Sequence, residues 1–225
     1  MGTTSQPWVQ TRSGRIFNPL LPDPSDITIG DIAFALGNLT RFTGHCPFYS
    51  VAQHSVFVSY LVDPQYQREA LLHDASEAYL NDINSPVKSL VELTGYRDVE
   101  DELSRNIMRK FGASEEEIDE VKDADRKAFR MEVIKFFPYN SPLWRKYVKN
   151  PKEYQTSKVR IGAYVNGEWH TRLNPEDAYQ LFLARYHELF EEPLSGDVIA
   201  VEKPPDEPEI ALQGKTSEEE EEEDD

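Results

Sequence analysis

The hydrophobic positions of the chain fall into two rhythms, a period of two near its edges and a period near 3.6 through most of its length. Residues 8–17, WVQTRSGRIF, alternate on either side of Ser13-Gly14 and predict a small β-hairpin. The following NPLLPDPSD is a connector, because each proline removes a backbone donor and fixes φ. From Thr28 or Gly30 onward, GDIAFALGNL places Ile32, Ala35, Leu36 and Leu39 on one side of a helix. A second helix over SVAQHSVFVSYLV turns His54 to the same face as Val51, Val58 and Leu61, toward the core. Asp63-Pro64 couples it closely to the stretch at 69–88, EALLHDASEAYLNDINSPVK, so the two pack antiparallel. That stretch starts as an amphipathic helix with Ala70, His73, Asp74, Glu77 and Leu80 on one face.

A short helical segment is expected after Pro86, and another from about Arg97 to Phe111. Ser114 with Glu117 three residues later has the capping-box pattern and predicts a long helix reaching about Phe137. Along it Ile118, Val121, Asp125, Ala128, Phe129 and Glu132 form one stripe. NSPLWRKYVKNP predicts an irregular helix, and residues 158–172 predict a hairpin turning at Asn166-Gly167. Asn174 caps a last helix, PEDAYQLFLARYHELF, whose Ala178, Leu181, Phe182, Tyr186 and Leu189 dock on the rest. The expected class is all-α, a helical bundle with small peripheral β-hairpins. One domain is expected over 1–193, followed by a disordered acidic tail over 194–225 that ends in SEEEEEEDD.

Composition changes this picture in two places. The formal charge of −17 is uneven: residues 202–225 hold twelve acids and two bases, a net of −10, which leaves −7 for residues 1–201. A moderately acidic folded part argues against a phosphate-coating nucleic-acid binder, though not against a small nucleotide held by local cations. The tail reads as a solubilising segment, with binding to a basic partner or DNA mimicry as the alternatives. The single Cys46 excludes an internal disulfide framework and a cysteine-cluster zinc site. No run approaches the ~18 apolar residues of a membrane span, and the expectation is a soluble, cytoplasmic protein without a membrane partner.

The polar groups that the periodicity turns inward are His54, His73, Asp74 and Asp125. Buried carboxylates and imidazoles need a cation, a charged partner or several hydrogen bonds. Two imidazoles and two carboxylates form a mixed N/O ligand set, suited to a divalent transition metal such as Zn, Co or Mn rather than Ca or Mg. Glu77 and Asp82 remain beside them as acids for proton transfer. Taken alone, HDxxE fits equally well a solvated polar face with a capping Asp, and Asp125 could pair with Arg126 or Lys122. His45 and Cys46 read as loop residues, and His170 and His187 as solvated.

The order H…HD…D, with HDASEAYLNDINSPVK after the central pair and VKDADRKA around the last aspartate, resembles the HD-domain metal-dependent nucleotide phosphohydrolases. That group includes phage dATP triphosphohydrolases and bacterial 5'-deoxynucleotidases. The resemblance runs from about Ile16 to Arg130. It implies an HD-type bundle in which His54, His73, Asp74 and Asp125 hold the metal, Glu77 orders the attacking water and Asp82 contributes to proton transfer. It further implies that Arg41 binds phosphate, that Lys88 and Lys122 serve the phosphate chain, and that Phe42 and Pro86 line the nucleoside pocket. Lys88 and Lys122 read equally well as ordinary solvated lysines, and Phe42 and Pro86 as packing. The activity so implied is hydrolysis of 2'-deoxynucleotides, with dATP as the leading substrate, triphosphate as the released product and a second Mg on the phosphates. A 5'-deoxynucleotidase acting on monophosphates is the alternative, and a non-catalytic metal- and nucleotide-binding sensor is the alternative of another class. A homo-oligomer is compatible with all three. If phage-encoded, the protein would act in the host cytoplasm.

Overall fold

The computed structural model describes residues 7–90, 93–155, 157 and 159–190. The expected acidic tail, and the boundary at residue 193, lie outside the described residues. The fold is mostly helical, with two small two-stranded antiparallel sheets. In order, the elements are β1 (Val9–Gln10), β2 (Ile16–Phe17), α1 (Ile29–Asn38), α2 (Val51–Ser59), α3 (Gln67–Leu72), α4 (Glu77–Leu80) and α5 (Ser85–Lys88). They continue with α6 (Thr94–Phe111), α7 (Asp119–Phe136), α8 (Pro142–Tyr147), α9 (Pro151–Gln155), β3 (Ala163–Val165), β4 (Glu168–His170) and α10 (Pro175–Phe190). Short 3-10 turns lie at Pro24–Asp26, Arg41–Gly44 and Pro64–Tyr66.

Helix α2 is the axis of the bundle, and every residue from Val51 to Ser59 is buried. Its charge-free sequence allows this, because Ser55 and Ser59 return their hydroxyls to the carbonyls of Val51 and Val56. One layer around it is α1, α3 and α10, joined by Ile32, Leu36, Leu71, Leu72, Ala178 and Phe182 in the main core. Gly37 lets α1 and α10 close up: a Cβ there would lie 2.9 Å from the Pro175 carbonyl oxygen. On the other side α7 meets α2 through Val58, Val121, Ala124 and Ala128. A third cluster of Val133, Trp144 and Val148 seats α8 on the C-terminal half of α7.

Both hairpins form where the alternation places them, with Val9 opposite Phe17 and Tyr164 opposite Trp169. Thr28 caps α1, Ser50 caps α2, and Asn174 accepts from the Asp177 N–H ahead of α10. Two boundaries differ from expectation. The helix expected from residue 69 is broken after Leu72 and resumes at Glu77, and the bonds between are of the tighter i to i+3 kind, from Ala75 to Leu72 and from Glu77 to Asp74. The long helix α7 starts at Asp119, not Ser114. The Ser114 hydroxyl accepts from Glu116, its N–H donates to Glu69, and Glu117 pairs with Lys122, so the capping-box residues are occupied elsewhere. Among the described residues no helix is long and apolar enough to cross a membrane.

Candidate metal centre

His54 sits one turn into α2, fully buried. Its Nδ1 lies 2.6 Å from a carboxylate oxygen of Glu132 on α7. His73 ends α3, and its Nδ1 lies 2.8 Å from the Ala70 carbonyl oxygen, to which it donates. Each ring is thereby held with its Nδ1–H engaged, which leaves Nε2 to carry the lone pair. The two rings are 5.3 Å apart, and one donor atom each from His54, His73 and Asp74 lie within 4.8 Å of one another. Asp125 reaches the same place from α7, its Oδ1 3.1 Å from His54 Nε2. The tight turn between α3 and α4 is what presents Asp74 beside His73, with Oδ2 3.2 Å from His73 Nε2 and 3.7 Å from His54 Nε2.

Whether this arrangement suits a cation is decided by the two Nε2 atoms. Both are buried, with a carboxylate oxygen of Asp125 3.1 Å from the first and one of Asp74 3.2 Å from the second. Two buried imidazole nitrogens facing two carboxylates form a mixed donor set of the kind that a divalent transition metal takes. His54, His73 and Asp74 fit a transition metal, with Asp125 as the fourth candidate donor.

Behind the candidate donors lies a second layer of polar groups. Glu132, with no exposed surface, bonds His54 through one oxygen and the Arg41 guanidinium, at 3.0 Å, through the other. Arg41 also stands 3.7 Å from Asp74. Burial works against the Glu132 carboxylate, but Arg41 and His54 outweigh it and hold its pKa below the usual carboxylate range. Burial disfavours charge on Asp74 as well, yet His73, His54 and Arg41 depress its pKa. Burial lowers the His73 pKa, and the Asp74 charge more than reverses that, to about 9. Glu132 and Glu100 take part in this polar network although no role was expected of either. Glu132 was visible as an acid in the apolar stripe, seven residues after Asp125 and so two turns along the same face. Glu100 gave no comparable indication.

Glu77 is the opposite case to Asp74. Burial, then the charges of Asp74 and Asp82, push its pKa up to about 9, and its Oε2 is buried without a hydrogen-bond partner. Asp82 is also raised, by burial, with Arg41 opposing and Asp74 reinforcing. Lys88 reaches over this pair, 3.4 Å from Glu77 and 2.7 Å from Glu100. An open cleft of about 540 Å³ runs past these groups, and His73, Asp74, Glu77, Lys88, Lys122 and Asp125 all line it.

Of the residues expected to contact substrate, Lys88 and Lys122 line the cleft, with the Lys122 ammonium 2.6 Å from Glu117. Arg41 joins the site through Glu132 and Asp74. Phe42 packs on Phe129 and Phe137 instead, with ring centroids 5.7 and 4.9 Å away, and Pro86 is exposed at the start of α5. Neither lines the cleft. Asp125 pairs with neither Arg126, which bonds Asp123, nor Lys122. His45 and His170 are exposed, whereas His187, expected to be solvated, is partly buried beside Tyr186.

No family model matches the chain. It is 44% identical over 106 residues to the uncharacterized protein YfdR of Escherichia coli, a match covering 47% of this chain and 58% of that protein. It is 36% identical over 115 residues to an uncharacterized protein of Rhodobacter capsulatus, with the same 47% and 58% coverage. The chain thus spans little more than half the length of either relative, a mostly helical protein with a His/Asp cluster whose similarity reaches proteins with no described activity.

Proposed function

We propose that the protein is a metal-dependent phosphohydrolase of 2'-deoxynucleotides, of the HD-domain type that its motifs resemble. The observation that carries this reading is the pair of imidazoles tied back through Nδ1 while their buried Nε2 atoms converge with Asp74 and Asp125, beside a carboxyl group, Glu77, that holds its proton near neutral pH. A bound Zn, Co or Mn would supply Lewis acidity, which lowers the pKa of water from 15.7 toward ~7. Glu77, whose pKa burial and the charges of Asp74 and Asp82 raise in the metal-free protein, is the proposed proton carrier beside the metal. Asp82, raised in the same direction, is a second proton site beside it. Lys88 faces the phosphate from the wall of the cleft, and Arg41 offers its fork once it leaves Glu132 or Asp74.

In the first reading dATP is the substrate and triphosphate the released product, with a second Mg on the phosphates accommodated by the acidic wall of Glu69, Glu100, Asp101 and Glu115. A second reading, removal of phosphate from a deoxynucleoside monophosphate, gains from the ion pairs: Arg41, Lys88 and Lys122 are each already held by a carboxylate, so a long phosphate chain must break several of them. Metal-stripped protein reloaded with Zn, Co or Mn and incubated with dATP and dAMP separates the two. Chromatography shows triphosphate in the first case and orthophosphate from dAMP in the second, with Glu77→Ala at least ~100-fold slower in either. Loaded protein that binds nucleotides yet turns none over, equally with and without Glu77, refutes hydrolysis and makes the chain a binding module.

A further inference from the structure

Cations are segregated in this acidic chain. Residues 126–172 contain eleven Lys and Arg against three acids, a net of +8 within a chain of net −17. The described parts of the segment pack on one another. Val133, Trp144 and Val148 hold α8 on the C-terminal half of α7, Phe129 meets Tyr147 at 5.0 Å, and Ile161 packs into the cluster of Ala124 and Ala128. These apolar side chains are thus turned inward, whereas Tyr139 is exposed. Lys135, Lys146, Lys149 and Lys152 are exposed, and Lys127 and Arg130 half-buried.

None of these six takes part in an ion pair among the described residues. Arg41, Lys88, Arg105, Arg109, Lys122 and Arg185 each hold a carboxylate. Lys146 also stands over the Tyr147 ring, and the acid Glu153 is exposed on α9. Cations without a carboxylate partner on these adjoining elements nevertheless outnumber acids and raise the local potential, so the surface of α7, α8 and α9 attracts a polyanion.

We infer that the polyanion is the chain's own acidic run, and that residues 217–225 dock on this face. Positions 218–225 are eight consecutive acids. Twenty-six residues separate Phe190, the last of α10, from position 217. Extended, they reach up to roughly 90 Å, against roughly 27 Å for the whole of α7. Tethering places the acids at an effective concentration on the order of millimolar, well above that of a partner in solution. The large cleft is closed to the run, because its wall carries Glu69, Asp74, Glu77, Glu100, Asp101 and Glu115. Docking covers the basic face and keeps nucleic acid from it, and it does so whether or not the metal centre is catalytic.

The test uses the full chain and carbodiimide, which joins amines to carboxylates already in contact, followed by peptide mapping. At low salt the crosslinks run within one chain from Lys146, Lys149 or Lys152 to positions 218–225. They disappear in 0.5 M salt, roughly a 4 Å screening length, and in the variant K146E/K149E/K152E. Crosslinks from 218–225 to lysines elsewhere, or only between two chains in a mixture of light and isotopically heavy protein, overturn the inference. A second variant replaces the eight acids with Gln and Asn and is titrated with a single-stranded oligonucleotide. Binding at least tenfold tighter than that of the unaltered chain supports a covered face. Equal binding shows the face open to nucleic acid and overturns docking.

Discussion

Glu132 touches no solvent and holds two groups at once, the imidazole of His54 and the guanidinium of Arg41. Through His54 it fixes which ring nitrogen faces the site, and through Arg41 it anchors the turn at residues 41–44, where Phe42 and Thr43 both have positive φ. Outer carboxylates of this kind change metal affinity by 10–100-fold in other sites. Glu132→Gln keeps the shape but removes the charge, and is expected to weaken Zn or Mn binding by about that factor, measured by chelator competition. Unchanged affinity would mean that α2 packing alone orients His54.

Glu77 and His73 set a pH dependence whose sign follows from their raised pKa values. In the metal-stripped protein, folded Glu77 keeps its proton up to about 9, while the unfolded chain loses it near the ordinary value of 4.5. Between these values the folded state binds the extra proton, so raising the pH removes stability. His73, raised to about 9 from 6.5, acts in the same direction above 6.5, since its stabilising charge is lost as the pH rises through the folded value. Thermal unfolding of metal-stripped protein should therefore shift to lower temperature between pH 5.5 and 8.5, and Glu77→Gln should flatten part of that slope. A midpoint that rises with pH contradicts the assignment of both groups.

At the scale of elements, the sequence was legible wherever one local rule acted alone. Ser13-Gly14 and Asn166-Gly167 mark hairpin turns, Thr28 and Asn174 mark helix starts, and the all-apolar spacing around His54 marks a buried helix. It failed where a tertiary partner took the local one. The Ser114 capping box yields to Glu69 and Lys122, and the helix through His73 is interrupted so that Asp74 can face His54. That His54, His73, Asp74 and Asp125 come together was readable because the helical spacing turns each of them inward. Glu100 was not, because its position across Lys88 depends on how α5 and α6 meet. These differences predict unequal costs. Thr28→Ala removes a cap that accepts from the Asp31 N–H at 3.1 Å and should cost ~1 kcal/mol in denaturant unfolding. Ser114→Ala caps no helix and should cost under about 0.5 kcal/mol, as ordinary surface changes do. Equal costs would place the start of α7 at Ser114 after all.

Among the described residues, carboxylates gather around the cleft, and lysines without a carboxylate partner lie on the far part of α7 and on α8. The cleft wall bears Glu69, Glu100, Asp101, Glu115, Glu116 and Glu117 in addition to the site acids, while its cations Lys88, Arg105 and Lys122 are each paired. In the proposed reaction an anionic nucleotide would therefore meet repulsion until it came within reach of Lys88 and a bound metal. Repulsion between exposed charges is what salt removes most readily, since the screening length falls from ~30 Å at 0.01 M to ~8 Å at 0.15 M. A site that attracts phosphate through open lysines loses on-rate as salt rises. This one should do the reverse, with kcat/KM for a deoxynucleotide staying level or rising between 0.02 and 0.15 M salt at fixed metal concentration. The change belongs in KM, because the chemical step occurs among buried groups that salt screens little. Neutralising Glu115, Glu116 and Glu117 together to Gln should lower KM at low salt and remove most of the salt dependence. A steep fall of kcat/KM with salt in the unaltered protein would show that Lys88 and Lys122 leave their carboxylates before substrate arrives, and that the cleft presents them as free cations.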